Sequence, residues 1–281
     1  MYLKALTNYR ADLHLHTNYS DGVLSPSRLI DLVRKHDISV ISITDHDNVS
    51  GIDEALEYGS LNGIKVIPGV EISADIEEQE IHILGYFLDY KNPALTEFLK
   101  KSRQKRLERN AKIVYKLNEL GSKINFEDIL KKVGTGSSLG RPHIAMELHD
   151  EGFVKTYYEA FYKYIGDDKT AFVRKSNPDT KEVIDLISQC KGLSFIAHPG
   201  KLIRDDLLMK LIEQGIDGIE LVHPSHDKES MSYFNKIISE KFLLSSGGSD
   251  FHGGIKNDSG SLGKFVISET EIINMKRRLF I

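Results

Sequence analysis

Seven short runs of apolar, often β-branched residues punctuate the chain, at about 10–16, 38–44, 65–72, 81–87, 193–198, 216–222 and 243–249. Between several of them the apolar positions recur at helical spacing instead, as with Leu29, Ile30, Leu32 and Val33 in 26–36 and Val183, Ile184, Leu186 and Ile187 in 181–190. Strand-like runs alternating with helical stretches predict βα units and a mostly parallel sheet, an α/β fold. Residues 90–170 break the alternation: their pattern predicts helices near 94–120, 126–133, 142–150 and 156–166. The expected organisation is a barrel-like domain from 1–89 and 171–281, with 90–170 as an inserted helical subdomain at one rim, serving as lid or substrate wall.

In a closed barrel of parallel strands, the residues at the C-terminal strand ends carry the chemistry. His14 and His16 end the first run, His46 follows the second, Glu71 ends the third, His198 ends the fifth, Glu220 ends the sixth, and Asp250 and His252 follow the seventh. His82 sits near the start of the fourth run, which requires either an antiparallel strand or a different boundary. Side chains alternate faces along a strand, so His14 and His16 share one face and form a natural clamp for a metal. Asp250 and His252 repeat the spacing after Gly247-Gly248, where glycine lets backbone approach a site closely. For either pair alone a chance surface placement competes; both pairs together with Glu71 point to a metal site. Imidazole and carboxylate together suit zinc, manganese or iron.

These residues lie in ordered motifs: His14-Leu-His16 followed by Ser20-Asp21-Gly22, Thr44-Asp45-His46-Asp47, Gly69-Val70-Glu71, Ala197-His198-Pro199 and Asp250-Phe251-His252. The set resembles the PHP (polymerase and histidinol phosphatase) superfamily across essentially the whole chain. Gly140-Arg141-Pro142-His143-Ile144-Ala145 resembles the branch of small phosphoesterases that act on nucleoside monophosphates, nucleoside 3′,5′-bisphosphates or short RNA 5′ ends. The resemblance implies a distorted (β/α)7 barrel and three metals. One would sit at His14, His16, Glu71 and Asp250, a second at Glu71, His82 and His198 with Glu71 bridging, and a third at Asp21, His46 and His252. Glu71, His198 and Asp250, with His226, are the expected catalytic residues. Paired metals roughly 3.5–4 Å apart hold the attacking and leaving oxygens of a phosphoryl transfer, and their acidified water supplies hydroxide without a strong protein base. No Ser-His-Asp arrangement, Cys nucleophile motif or P-loop competes, since Gly134–Gly140 lacks the Gly-Lys-Ser/Thr ending.

Arg141 and His143 are the expected phosphate contacts, because Arg binds phosphate bidentately and keeps its charge. The bland alternative is that Arg141 merely opens a surface helix at Pro142. His223 and His226 follow the sixth run, where a leaving-group acid, a phosphate contact or a structural role all suit them. Asp12 and Asp45 are expected to orient ligating imidazoles. The helix near 94–120 carries eight Lys or Arg against three Glu. Arg103, Arg106 and Arg109 recur every three residues and are expected to share one face, with Arg106 the favoured substrate contact against a merely solvated run. Leu107, Val114, Leu117 and Leu120 form an apolar stripe expected to pack as core.

Composition narrows the picture. At 281 residues, 40% hydrophobic and 28% charged, the chain reads as an ordinary globular protein. A net charge of −4 argues against a partner such as long duplex nucleic acid. The single Cys190 forms no internal disulfide and fits a reducing cytoplasm. Residues 1–11 hold no apolar leader core, and no apolar run reaches membrane-spanning length. The expected protein is a cytoplasmic phosphoesterase using two to three manganese, zinc or iron ions on a small nucleotide or short RNA. Histidinol-phosphate phosphatase is the competing enzyme, and a metal-stabilised interaction module the competing non-enzyme.

Overall fold

A computed structural model describes residues 9–134, 136–200 and 203–280; the leader reading over residues 1–8 and Thr135 of the glycine-serine loop lie outside them. The seven apolar runs form seven strands: β1 Ala11–Leu15, β2 Val40–Ile43, β3 Lys65–Ile76, β4 Gln79–Tyr86, β5 Leu193–Ile196, β6 Gly218–Val222 and β7 Leu244–Gly247. They pair in sequential order, and the chain just after β7 returns to β1 through a bridge between Phe251 and Leu15. The sheet is thus a curled α/β barrel in which all neighbours are parallel except at β4, antiparallel to both β3 and β5. The position of His82 follows: a reversed strand begins, rather than ends, at the mouth.

Helices cover the sheet and continue past it: α1 Pro26–Arg34, α2 Ile52–Leu61, α3 Pro93–Glu119, α4 Phe126–Val133, α5 Arg141–Asp150, α6 Tyr157–Ala160, α7 Thr180–Gln189, α8 Asp205–Glu213, α9 Lys228–Lys241 and α10 Glu269–Leu279. A π-helical turn, Phe161–Ile165, extends α6. Their starts follow from local chemistry: Asn92 caps the Ala94 amide ahead of Pro93, and Asp179 caps that of Lys181. No helix among the described residues is long and apolar enough to cross a membrane.

Four apolar clusters hold the layers together. Leu13, Val40, Ile67, Tyr86 and Phe195 pack with Ile272 and Met275 of α10. α1 and α2 cover β1 and β2 through Leu29, Ile30, Val33 and Ala55. Val183, Ile187, Leu208 and Phe234 cover the opposite flank, joined there by Leu95 and Leu99 of α3. The far half of α3 contributes Ile113, Val114 and Leu117 to a separate cluster with Ile129, Ile144 and Val154. Leu120, expected in that stripe, is 45% exposed because the helix ends there. Since β4 runs backwards, the chain leaves it at the end of the barrel opposite the mouth, not at the rim as expected. The 27 residues of α3, about 40 Å of helix, carry it back.

Candidate metal centre and adjoining cavity

The fold brings all nine predicted residues to one end of the barrel, around Glu71. The β3–β4 register sets Glu71 opposite Leu84 and Ser73 opposite His82, so Glu71 and His82 meet diagonally on one face. Glu71 Oε1 faces His82 Nδ1 at 2.8 Å and His198 Nε2 at 3.0 Å. Its Oε2 faces His46 Nδ1 at 3.0 Å, His16 Nε2 at 3.3 Å and His14 Nε2 at 3.4 Å. Asp250 Oδ1 closes the second group, 3.3 Å from His14 Nε2 and 3.1 Å from His16 Nε2. Asp21 Oδ1 lies 3.3 Å from His252 Nε2 and 3.8 Å from His46 Nε2.

The far nitrogens decide which way the lone pairs point. His14 Nδ1 donates to Glu220 Oε1 at 2.9 Å, leaving the Nε2 lone pair for the centre. His16 Nδ1 meets Ser20 Oγ at 3.3 Å, and that hydroxyl gives its proton to Asp45, so Asp45 steers the imidazole at one remove. Asp12 steers none: its Oδ1 accepts the backbone amides of His14 and Ser249. Glu220 is the carboxylate that sequence reading left without a role. Besides holding His14, its Oε2 accepts the His198 amide at 2.6 Å and fixes that residue's left-handed backbone, φ 29°. Asp47 and Asp250 are also left-handed, at φ 49° each, and such strain concentrates at functional sites. Gly248 is required where it stands, because a Cβ there would lie 2.4 Å from His14 Cβ.

Do these residues fit metal ions? His14 Nε2, His16 Nε2, His46 Nδ1, Asp21 Oδ1 and Glu71 Oε2 are all buried without a hydrogen-bond partner. So many orphaned lone pairs in one place carry a large desolvation cost unless a cation satisfies them. A tetrahedron with bonds of about 2.0–2.1 Å has edges of about 3.3–3.4 Å, close to the separations among His14, His16, Glu71 and Asp250. The field agrees. Burial alone would strip the proton from His16, yet Asp250 and Glu71 raise its pKa to about 9. Burial likewise pushes the Glu71 carboxyl up, but His46, His82 and His14 outweigh it and hold it well below the usual range. The donor set fits divalent metals.

Above the cluster opens a cavity of about 420 Å³, bounded in part by Arg106, Arg109, Arg141, Tyr157, Phe161 and Lys256. The three arginines of α3 face inward, not to solvent. Arg103 donates to the Asp47 carbonyl at 2.8 Å. Arg106 reaches the cavity but commits Nε to Asp47 Oδ2 at 2.5 Å and Nη2 to Ser73 at 2.9 Å. Lys175 joins the same carboxylate at 3.3 Å. Burial would raise the Asp47 carboxyl, but Lys175 and Arg106 hold it well below its ordinary value. Removing one partner of a buried pair leaves charge uncompensated, but Lys175 remains, so Arg106→Gln is expected to cost about 2–3 kcal/mol in denaturant unfolding. A loss below ~0.5 kcal/mol would show that Lys175 alone holds Asp47.

Arg109 differs from its neighbours. Nε bonds the Val173 carbonyl at 2.7 Å, but Nη2 is buried with no acceptor. Burial and the neighbouring Arg141 lower its pKa to about 10. Arg141 pairs with Asp167 at 2.7 Å, and both guanidiniums lie 5.9 Å from the Phe172 ring centroid. His143 uses Nδ1 to accept the Gly140 amide, capping α5, and burial lowers its pKa. His226 is bonded to backbone through both nitrogens, Nδ1 to the Leu221 carbonyl and Nε2 to the Gly200 amide, so neither is free for the acid role expected of it. His223 is the better placed of the two. The Ser225 amide donates to its Nδ1, which puts the neutral ring's proton on Nε2, buried without a partner 3.5 Å from Asp250 Oδ2.

The chain is similar to known proteins. The chain is 35% identical to a 5′-3′ exoribonuclease of Haemophilus influenzae, over 86% of this chain and 89% of that protein. It is 31% identical to a 3′,5′-nucleoside bisphosphate phosphatase of Chromobacterium violaceum, over 86% of each. A crystal structure from Bifidobacterium adolescentis, ascribed to the metal-dependent phosphoesterases, superposes with a TM-score of 0.89 at 30% identity, covering 95% of this chain and 96% of that one. Residues 12–240 match the PHP domain, bearing out the resemblance carried by the histidine motifs, and the chain belongs to the PHP domain family.

Proposed function

We propose that this chain is a metal-dependent phosphoesterase hydrolysing phosphate esters of small nucleotides, or the 5′ end of short RNA. The observation that carries the reading is the set of orphaned lone pairs around Glu71 at the floor of a cationic, aromatic-walled cavity. In this reading two to three manganese, zinc or iron ions are held: one by His14, His16, Glu71 and Asp250, one by Glu71, His82 and His198, and a further cation position at Asp21, His46 and His252. When bound, such ions supply Lewis acidity, polarising the phosphoryl group and acidifying water. The chain's residues do the rest. Glu71, with its two oxygens turned to different imidazoles, fixes the spacing of the centre. His223 offers the Nε2 proton to the leaving oxygen. The unsatisfied Nη2 of Arg109, beside Arg141, suits a phosphate oxygen. Tyr157 and Phe161, with ring centroids 5.3 Å apart, give an aromatic wall against which a base can stack. Residues 90–170, which supply these walls, act as the lid.

The names of the two relatives favour nucleotides over histidinol phosphate. The test is phosphate or nucleotide release from a panel of nucleoside monophosphates, 3′,5′-bisphosphates, a short 5′-phosphorylated RNA and histidinol phosphate, with manganese and zinc compared. Bisphosphate or short RNA is expected to give the highest kcat/KM. A preference for histidinol phosphate would replace the nucleotide reading, and no hydrolysis of any member with either metal would leave the interaction module.

A further inference from the structure

The three cation positions are not alike. Around His14 and His16 the inward-facing atoms meet only each other, and among the described residues no ammonium or guanidinium pairs with them. At Asp21 and His252 a cation of the chain is already in place: Lys256 Nζ lies 2.9 Å from Asp21 Oδ2 and 2.6 Å from His252 Nε2.

The tautomer of His252 makes this contact exclusive. Its Nδ1 lies 2.7 Å from the Asp250 carbonyl, an acceptor only, so Nδ1 carries the proton and Nε2 holds the ring's single in-plane lone pair. An ammonium has donors and no acceptor, so Lys256 uses that lone pair. A metal at this position would need the same one. One nitrogen cannot serve both. Asp21 Oδ1, 3.3 Å from His252 Nε2, stays buried with no partner, so half of the position is still open.

We propose that Lys256 is the resident cation of the third position, completing a two-metal centre with a lysine ammonium, and that a third divalent ion enters only by displacing it. Lys256 can withdraw: its side chain is 29% exposed and borders the cavity. It follows Gly253 and Gly254, both at positive φ, in the loop that leaves His252. Displacement would free the ammonium toward the space assigned to substrate.

The inference rests on the reading of the cluster as a metal centre, and one titration separates the two. The full chain, stripped of metal and folded by circular dichroism, is titrated with Mn²⁺, reading bound equivalents and their dissociation constants. Wild type is compared with Lys256→Met, which keeps the stem and removes the charge, and Lys256→Arg, which keeps the charge. The expected result is two tight equivalents in all three. A third should be weak in wild type and Lys256→Arg but about tenfold tighter or more in Lys256→Met, the equivalent of about 1.4 kcal/mol. A third equivalent of the same affinity in wild type and Lys256→Met, whether tight or weak, would overturn the role of Lys256 and leave the metal centre standing. So would loss of an equivalent in Lys256→Met. Fewer than two equivalents in every variant would overturn both.

Discussion

Replacing Glu71 with Gln is expected to lower kcat/KM on the best substrate of the panel by about three orders of magnitude, ~4 kcal/mol in the barrier, while leaving the fold intact. The size follows from geometry. Glu71 turns its two oxygens to different sets of imidazoles: His82 and His198 on one side, His14, His16 and His46 on the other. An amide of the same volume offers one weaker acceptor and turns a donor toward nitrogens whose lone pairs already point at it. Two cations sharing this residue would lose their common anion. The fold should survive because the backbone pairing of β3 does not involve the side chain. Metal content, measured beside the kinetics, is expected to fall as well. Near-normal turnover would remove Glu71 from the bridge.

Stripping the chain of divalent metal is expected to abolish activity and lower the melting temperature by about 10 °C. A ligand bound only by the native state, present at about 1,000 times its Kd, contributes ~4 kcal/mol, and a chain of this size shifts by roughly 2–4 °C per kcal/mol. What the metal-free chain must bear is a buried cluster of carboxylates and unsatisfied lone pairs. Adding Mn²⁺ back should restore melting temperature and activity together. An unchanged melting temperature in protein shown by elemental analysis to be metal-free would mean that protons satisfy the cluster as well as metals do.

Much of this was legible in the sequence, for identifiable reasons. Buried parallel strands are continuous apolar runs, so the seven strands stand out, and their ends mark where the chemistry sits. The His14–His16 and Asp250–His252 spacings are read directly because alternation along a strand depends on no other part of the chain. What stayed hidden depends on long-range pairing. Nothing in the period of β4 says which way it runs, so the start-of-strand His82 left two explanations open. Glu220 was visible at a strand end, but its hold on His14 requires the curling of the sheet that brings β6 near β1, about 200 residues away in the chain. The spacing of Arg103, Arg106 and Arg109 left a substrate-contacting face and a solvated face both open, with Arg106 favoured as the contact. The three turn inward because their acceptors lie there, Asp47 for Arg103 and Arg106 and the Val173 carbonyl for Arg109. The acid role weighed for His226 fails because its ring is held by the Gly200 amide and the Leu221 carbonyl, partners that no local sequence pattern predicts. Lys256, in a loop rich in glycine and serine, carried no signal at all.

The reversal of β4 also bears on how this barrel can be cut and rejoined. A helical lid that sprang from the rim would be an ornament, removable at its two attachment points. Here the connecting helix starts at the end of the barrel opposite the mouth, and Leu95 and Leu99, both fully buried, pack in the cluster that also holds residues of β3 and α7 before the same helix passes into the separate core of the helical segment. Excising residues 90–170 would therefore open a flank of the barrel. A shorter relative lacking this segment would need another element to shield that wall. The helical segment is anchored at its base, and the mouth of the cavity inherits its position from a contact at the far end of the molecule.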